Sequence, residues 1–222
     1  MWSAIAIFLI SIRVATATEP FVVLDTPSSR SGYLASLLIN EIPFPGERGY
    51  KSVADSQAAA LAILWVLESR ISKVPPGYTR KAVSGVSEGD IITVITGGSG
   101  KRQCDGFFLD SQGAPAMDSR VGERIEYLTK IANGGRAPGN FAALLIFCHN
   151  LARGYFRSGK PGGVDRFEYL QWILGVAVTG HAYSWMTDFE RYHPGGNFMT
   201  IPNEHDGSLG GNRFFTLRKE PK

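Results

Sequence analysis

The chain reads as a mainly α domain of the α+β class, with a loop-rich, glycine-rich C-terminal region that closes on a short strand. Three observations predict this class. Several stretches set apolar residues at helical spacing behind capping residues. Glycine and proline concentrate between and after those stretches. Near the end, Arg213-Phe214-Phe215-Thr216-Leu217 is a short aromatic and β-branched run of strand character. With 222 residues, 44% hydrophobic and 19% charged, the composition is ordinary for a globular chain, so a core rather than cross-links must hold the fold.

The first residues stand apart. Residues 2–12 (WSAIAIFLISI) form an uncharged apolar run, followed by the small-residue site Ala15-Thr16-Ala17. The run is too short for a spanning anchor and fits a secretory signal peptide over residues 1–17. Arg13 follows the run instead of preceding it, and an uncleaved anchor is the alternative. A mature chain beginning near Thr18 is expected to be secreted or periplasmic, with one domain over 18–222 and no stable membrane anchor.

The elements follow in order. Asp25-Thr26-Pro27-Ser28-Ser29 carries helix-start chemistry and predicts a helix over 31–41, stopped by Pro43. Residues 42–51 are a proline- and glycine-rich loop. Asp55 is the expected N-cap of a second helix reaching Ile71, apolar from Ala58 to Leu67 and therefore buried almost all round. Residues 90–96 (DIITVIT) suit either a strand or a short buried helix. Further helices are expected over 119–132, 140–157 and 165–180, each beginning at a cap and ending near glycine.

Charge and cysteine content narrow the function classes. Formal net charge is +3, and the basic residues are scattered in pairs without aromatic interleaving, which argues against nucleic acid. Cys104 and Cys148 permit one disulfide in an oxidising compartment, but spacing does not show that they meet.

The residue that stands out is Glu41. Leu34, Leu37 and Leu38 make an apolar stripe, and Glu41 continues it at the next i+3 and i+4 positions. A carboxylate facing a core is desolvated, which raises its pKa. Its place in the last helical turn, where the macrodipole is negative, pushes the same way. A carboxyl group protonated nearer neutral pH suits general-acid catalysis, as at a glycosidic oxygen. The bland alternative is a glutamate that swings to solvent or pairs with a buried arginine such as Arg70.

The stretch LLINEIPFPGERGYKSVADSQAAALAILWVLESRI resembles the bacterial cell-wall hydrolases of the spore-cortex-lytic type, which have a lysozyme-like fold. In that family a helix ends in an acid, a glycine-bearing loop follows, and a second apolar helix ends near asparagine-arginine. Here Ser69-Arg70 stands at that position. Gln103-Cys104-Asp105-Gly106-Phe107 is similar to the family's glutamine-phenylalanine element, with two extra residues. Residues 207–215 (GSLGGNRFF) are similar to its closing glycine-and-aromatic strand. The match covers residues 34–71 and these two islands.

The resemblance implies a lysozyme-like domain acting on the glycan strands of peptidoglycan, with Glu41 as general acid and no cofactor or metal. Water or the sugar's own hydroxyl would capture the oxocarbenium-like centre. Glu47, Asp55 and Asp105 are the candidates for a second carboxylate, and a single-acid mechanism stays open. Glu47, Tyr50, Gln103, Tyr183, Asn197 and Asn212 are candidate substrate-binding residues, chosen because they lie in loop-like stretches.

Rival patterns are weaker. Gly85-Val86-Ser87-Glu88-Gly89 fits G-x-S-x-G, but that motif needs a strand before it and a helix after it. His181, His193 and His205 are spaced too widely for one helical metal face, and no C-x-x-C accompanies them. Gly97-Gly98-Ser99-Gly100-Lys101-Arg102 lacks both the leading glycine and the Ser or Thr of a phosphate loop. A non-catalytic envelope glycan-binding or accessory protein is the remaining alternative, and loss of Glu41 separates it from a glycosidase.

Overall fold

The computed structural model describes residues 21–97, 104–135, 138–188 and 195–221. The apolar run and the small-residue site at the N-terminus, and with them the expected signal peptide, lie outside the described residues. Among those described, no helix is long and apolar enough to cross a membrane.

Helix α1 (Arg30–Glu41) starts at Ser29, whose hydroxyl accepts the Gly32 N–H at 3.0 Å. It stops where Ile42 turns extended ahead of Pro43. Helix α2 (Val53–Ser72) is buried at ten of its positions, as its composition predicts. Its cap is Ser52 and not Asp55. The Ser52 hydroxyl accepts the Asp55 N–H at 3.1 Å, which leaves Asp55 inside the first turn, where its charge meets the positive end of the helix dipole.

The short helices α3 (Arg80–Ser84) and α4 (Ile91–Thr96) follow. The run 90–96 is thus helical. Asp90 decides it: its carboxylate accepts the N–H groups of Ile92 and Thr93 while the Thr93 hydroxyl bonds back to the Asp90 N–H, a capping box that overrides β-branched propensity. Helices α5 (Ser119–Asn133) and α6 (Asn140–Ser158) lie within a residue of their expected ends.

Helix α6 packs on α1, α2 and α5. Leu34, Leu37 and Leu38 meet Ile63, Leu64 and Leu67 of α2 and Leu144 and Leu145 of α6 in one core cluster. Each such side chain contributes about 1.5–3 kcal/mol on burial. Cys104 and Cys148 are both buried free thiols, so no disulfide joins them.

The strands are small and antiparallel. β1 (Phe107–Leu109) pairs with β2 (Pro115–Met117). β3 (Trp172–Ile173) pairs with β4 (Val176–Ala177). The third sheet holds β5 (Ser184–Thr187), β6 (Phe198–Thr200), β7 (Ser208–Leu209) and β8 (Asn212–Leu217). The expected terminal strand, β8, lies between β5 and β6, with β7 folded back on its first residues. Among the described residues, six helices with small antiparallel sheets make a mixed α+β architecture.

The expected helix over 165–180 does not form. Asp165 makes a turn, accepting the Phe167 N–H at 2.9 Å, and the chain runs on into the β3–β4 hairpin. Leu174 and Gly175 form its two-residue loop with φ of +48° and +75°. Leu170, Trp172 and Leu174 are each more than 70% exposed, so these apolar side chains bring no burial that would support a helix here.

Candidate active-site cleft

Glu41 ends α1 half-buried, on a cleft of about 280 Å³ lined also by Arg70, Cys104, Asp105 and the four residues of β5. Trp185, in the middle of β5, donates its indole N–H to Glu41 Oε2 at 2.9 Å. Asn40 donates to the other carboxyl oxygen at 3.3 Å. Burial raises the pKa of Glu41 above the ordinary carboxylic range. The two hydrogen bonds and the charge of Arg124 oppose that shift, and the charge of Asp105 adds to it. Burial thus acts on this side chain in the direction that the apolar stripe predicts.

The expected alternative, an ion pair with Arg70, does not form. Arg70 lies in the last turn of α2, and its Nε donates to the Tyr183 carbonyl at 2.7 Å. Its guanidinium sits 5.4 Å from the centroid of the Trp185 ring, while Nη1 is buried with no hydrogen-bond partner. An unsatisfied buried cation is costly. Burial accordingly lowers the Arg70 pKa. Cys104 lies on the same wall as a neutral thiol, pushed up to about 12 by burial and then by Glu41.

The end of α1 is held from three sides. Arg124 of α5 donates to the Ile39 carbonyl at 2.7 Å and the Ile42 carbonyl at 3.2 Å, satisfying acceptors that the helix end leaves open. It also grips Glu47 at 2.7 and 2.9 Å, and Glu47 in turn accepts the Phe44 N–H at 2.7 Å. Asn212 donates to the Glu41 carbonyl at 2.8 Å. The loop after α1 crosses the turn between β7 and β8 at a glycine contact: a Cβ on Gly49 would lie 2.7 Å from the Gly211 Cα.

These contacts revise the substrate-binding assignments. Glu47 braces the loop after α1 and does not line the cleft. Asn212 is 2% exposed and positions the backbone of Glu41. Tyr183 is 1% exposed, gives its hydroxyl to the Lys73 carbonyl and lines a different cavity. Tyr50 packs against the core cluster. Asn197 precedes β6, and its carbonyl accepts the Arg218 N–H at 3.1 Å, next to the far end of β8. Gln103 lies outside the described residues.

Of the three candidate second acids, Asp105 alone lines the cleft, bonded to Arg120 at 2.8 Å. Asp55 is at the start of α2. Sequence reasoning missed Trp185 and Arg124. Trp185 carried one signal, an aromatic in the polar run Ser184-Trp185-Met186-Thr187. Arg124 carried a stronger one, because it interrupts the stripe Val121, Leu128, Ala132 as Glu41 interrupts its own.

The rival patterns lose their context. Ser87 is exposed in the turn between α3 and α4, with no strand before it. The glycine-rich run from Gly98 onward and His193 lie outside the described residues. His205 is exposed beside Glu204, and among the described residues no three His, Cys, Asp or Glu side chains converge as a metal site.

No family model matches the chain, and neither the curated proteins nor the solved structures offer a match.

Proposed function

We propose that this chain is an exported peptidoglycan hydrolase of lysozyme-like architecture that cleaves the glycosidic bonds of glycan strands, with Glu41 as general acid. The observation that carries the reading is the Glu41 carboxyl group, half-buried on a cleft and desolvated enough to hold its proton above the ordinary range. The resemblance over residues 34–71 puts the family's acid at the same residue. The cleft also continues: Thr187 lines both it and a smaller depression bounded by Arg48, Lys51 and Asp188, which suits a chain-like substrate.

In this reading Glu41 protonates the bridging oxygen, and the bond to the anomeric carbon breaks with development of oxocarbenium character. Trp185 fixes the carboxyl group and limits how far its pKa climbs. Arg70 stands on the cleft wall and contributes positive charge to it. Asp105 stands on the cleft as the acid able to take a proton from attacking water. If the sugar's own hydroxyl attacks instead, the product carries an internal ether.

Purified mature protein should clear a suspension of peptidoglycan, and Glu41→Gln should lower the rate by at least about a hundredfold while the circular dichroism is unchanged. Mass analysis of the released ends distinguishes hydrolysis from transglycosylation. Wild-type protein that binds but does not clear several wall types would replace the enzyme with a glycan-binding module.

A further inference from the structure

A larger cavity lies beside the Glu41 cleft and takes no part in the chemistry above. It measures about 670 Å³, within the range of small-ligand pockets. The two hollows are neighbours: Tyr183 and Ser184 are consecutive and line one each, and Arg70 and Ser72 of the last turn of α2 do the same. Val74, Pro75, Pro76, Leu170 and Pro221 supply its apolar wall.

The polar part of this cavity is built around His181. Asp165, 7% exposed, places Oδ2 at 2.8 Å from His181 Nδ1 and uses Oδ1 to accept the Phe167 N–H. A carboxylate only accepts, so Nδ1 carries a proton, and in the neutral imidazole Nε2 is left with a lone pair. The arrangement fixes both the tautomer and the ring orientation. Two exposed cations, Lys73 and Lys219, stand at the rim with one opposing carboxylate, Glu220.

The matching ligand needs an N–H to give to His181, a negative charge for the lysines, and small apolar groups for the wall. We propose that this cavity binds the carboxyl end of a short peptide of small apolar residues. His181 Nε2 accepts its last amide proton, and Lys73 and Lys219 face its carboxylate. The identity of that peptide rests on the peptidoglycan reading, since glycan strands carry short peptides of this chemistry, whereas binding itself does not depend on cleavage.

The test is an amide-resolved NMR titration of the full chain with N-acetyl-D-alanyl-D-alanine, its L,L isomer and its C-terminal amide. Saturable shifts at Leu170, Thr179, His181 and Lys219 are expected with the free acid, and at least about tenfold weaker binding with the amide. Asp165→Asn keeps the ring in place but presents an N–H to Nδ1, moving the proton to Nε2. Nitrogen-15 shifts of the imidazole should report that exchange, with binding weakened about tenfold.

The pair Lys73→Met and Lys219→Met leaves the core untouched and should remove the preference for the free acid. Glu220→Gln should tighten binding. No shifts at millimolar peptide, equal binding of acid and amide, or binding indifferent to both the Asp165 and the lysine variants would each overturn the proposal. Intact clearing without peptide binding sinks this inference alone, and peptide binding without clearing sinks the glycosidase reading alone.

Discussion

Trp185 is the residue on which the chemistry of Glu41 turns. Its indole N–H stabilises the ionised carboxylate, so it holds the Glu41 pKa lower than burial alone would set it. Trp185→Phe removes that bond. In the proposed reaction the rate falls as Glu41 loses its proton, so the alkaline limb of the pH–rate profile should move to higher pH in this variant. A limb that stays in place would show that another group titrates there.

Glu41 also leaves a mark on stability. Its native pKa lies above the unfolded value, so the native state binds more protons across the interval between the two. Stability is therefore lost as pH rises from about 4.3 toward the native pKa. Glu41→Gln escapes this loss. Its melting temperature should equal that of wild type near pH 4 and exceed it at pH 8, a difference that thermal melts at the two pH values measure.

At the scale of elements, the C-terminus of α1 is a joint between α5, β8 and the loop 42–49. Arg124 closes it from the helical side. Arg124→Met strands the Ile39 and Ile42 carbonyls and frees Glu47, at a cost of about 1–2 kcal/mol because the ion pair is partly screened by water. Urea unfolding measures it. The same variant should lower activity beyond its stability loss, since Glu41 loses its fixed position.

Reading these elements from sequence worked where periodicity coincided with burial. The spacing of Leu34, Leu37 and Leu38 defines α1, and the same stripe exposes Glu41 as a misfit. The hairpin at 172–177 was illegible for a physical reason. Leu174 occupies a positive-φ position usually taken by asparagine, aspartate or glycine, so the turn carried no turn signature. The cleft was half legible: its acid lies on a helix, where a misplaced charge breaks a pattern. Trp185, Cys104 and Asp105 come from loop and strand segments, where the pairing that gathers them is non-local. Loop location was a poor guide to the lining of the Glu41 cleft, because Tyr183 and Asn212 are held by backbone partners inside the fold.

Over the whole molecule, the N-terminal end of the described chain is tied to α6 through Asp25. Arg153 bonds both its oxygens, and Ser31 donates at 2.7 Å, which with His149 holds its carboxyl far below the usual range. A depressed acid stabilises the fold above its unfolded pKa and ceases to do so as pH falls through the native one. Asp25→Asn should therefore be less stable than wild type at pH 6, with the gap narrowing in strongly acidic solution. Tm measured across that range reads the change.

General-acid catalysis requires Glu41 to keep its proton in the cleft, and the carbon-13 shift of its side-chain carboxyl follows the loss of that proton. Assigned by its absence from Glu41→Gln, the resonance should titrate well above about 4.3, the value of a free glutamic acid. A midpoint at or below that value in the folded wild-type protein would contradict the assignment of Glu41 as a general acid.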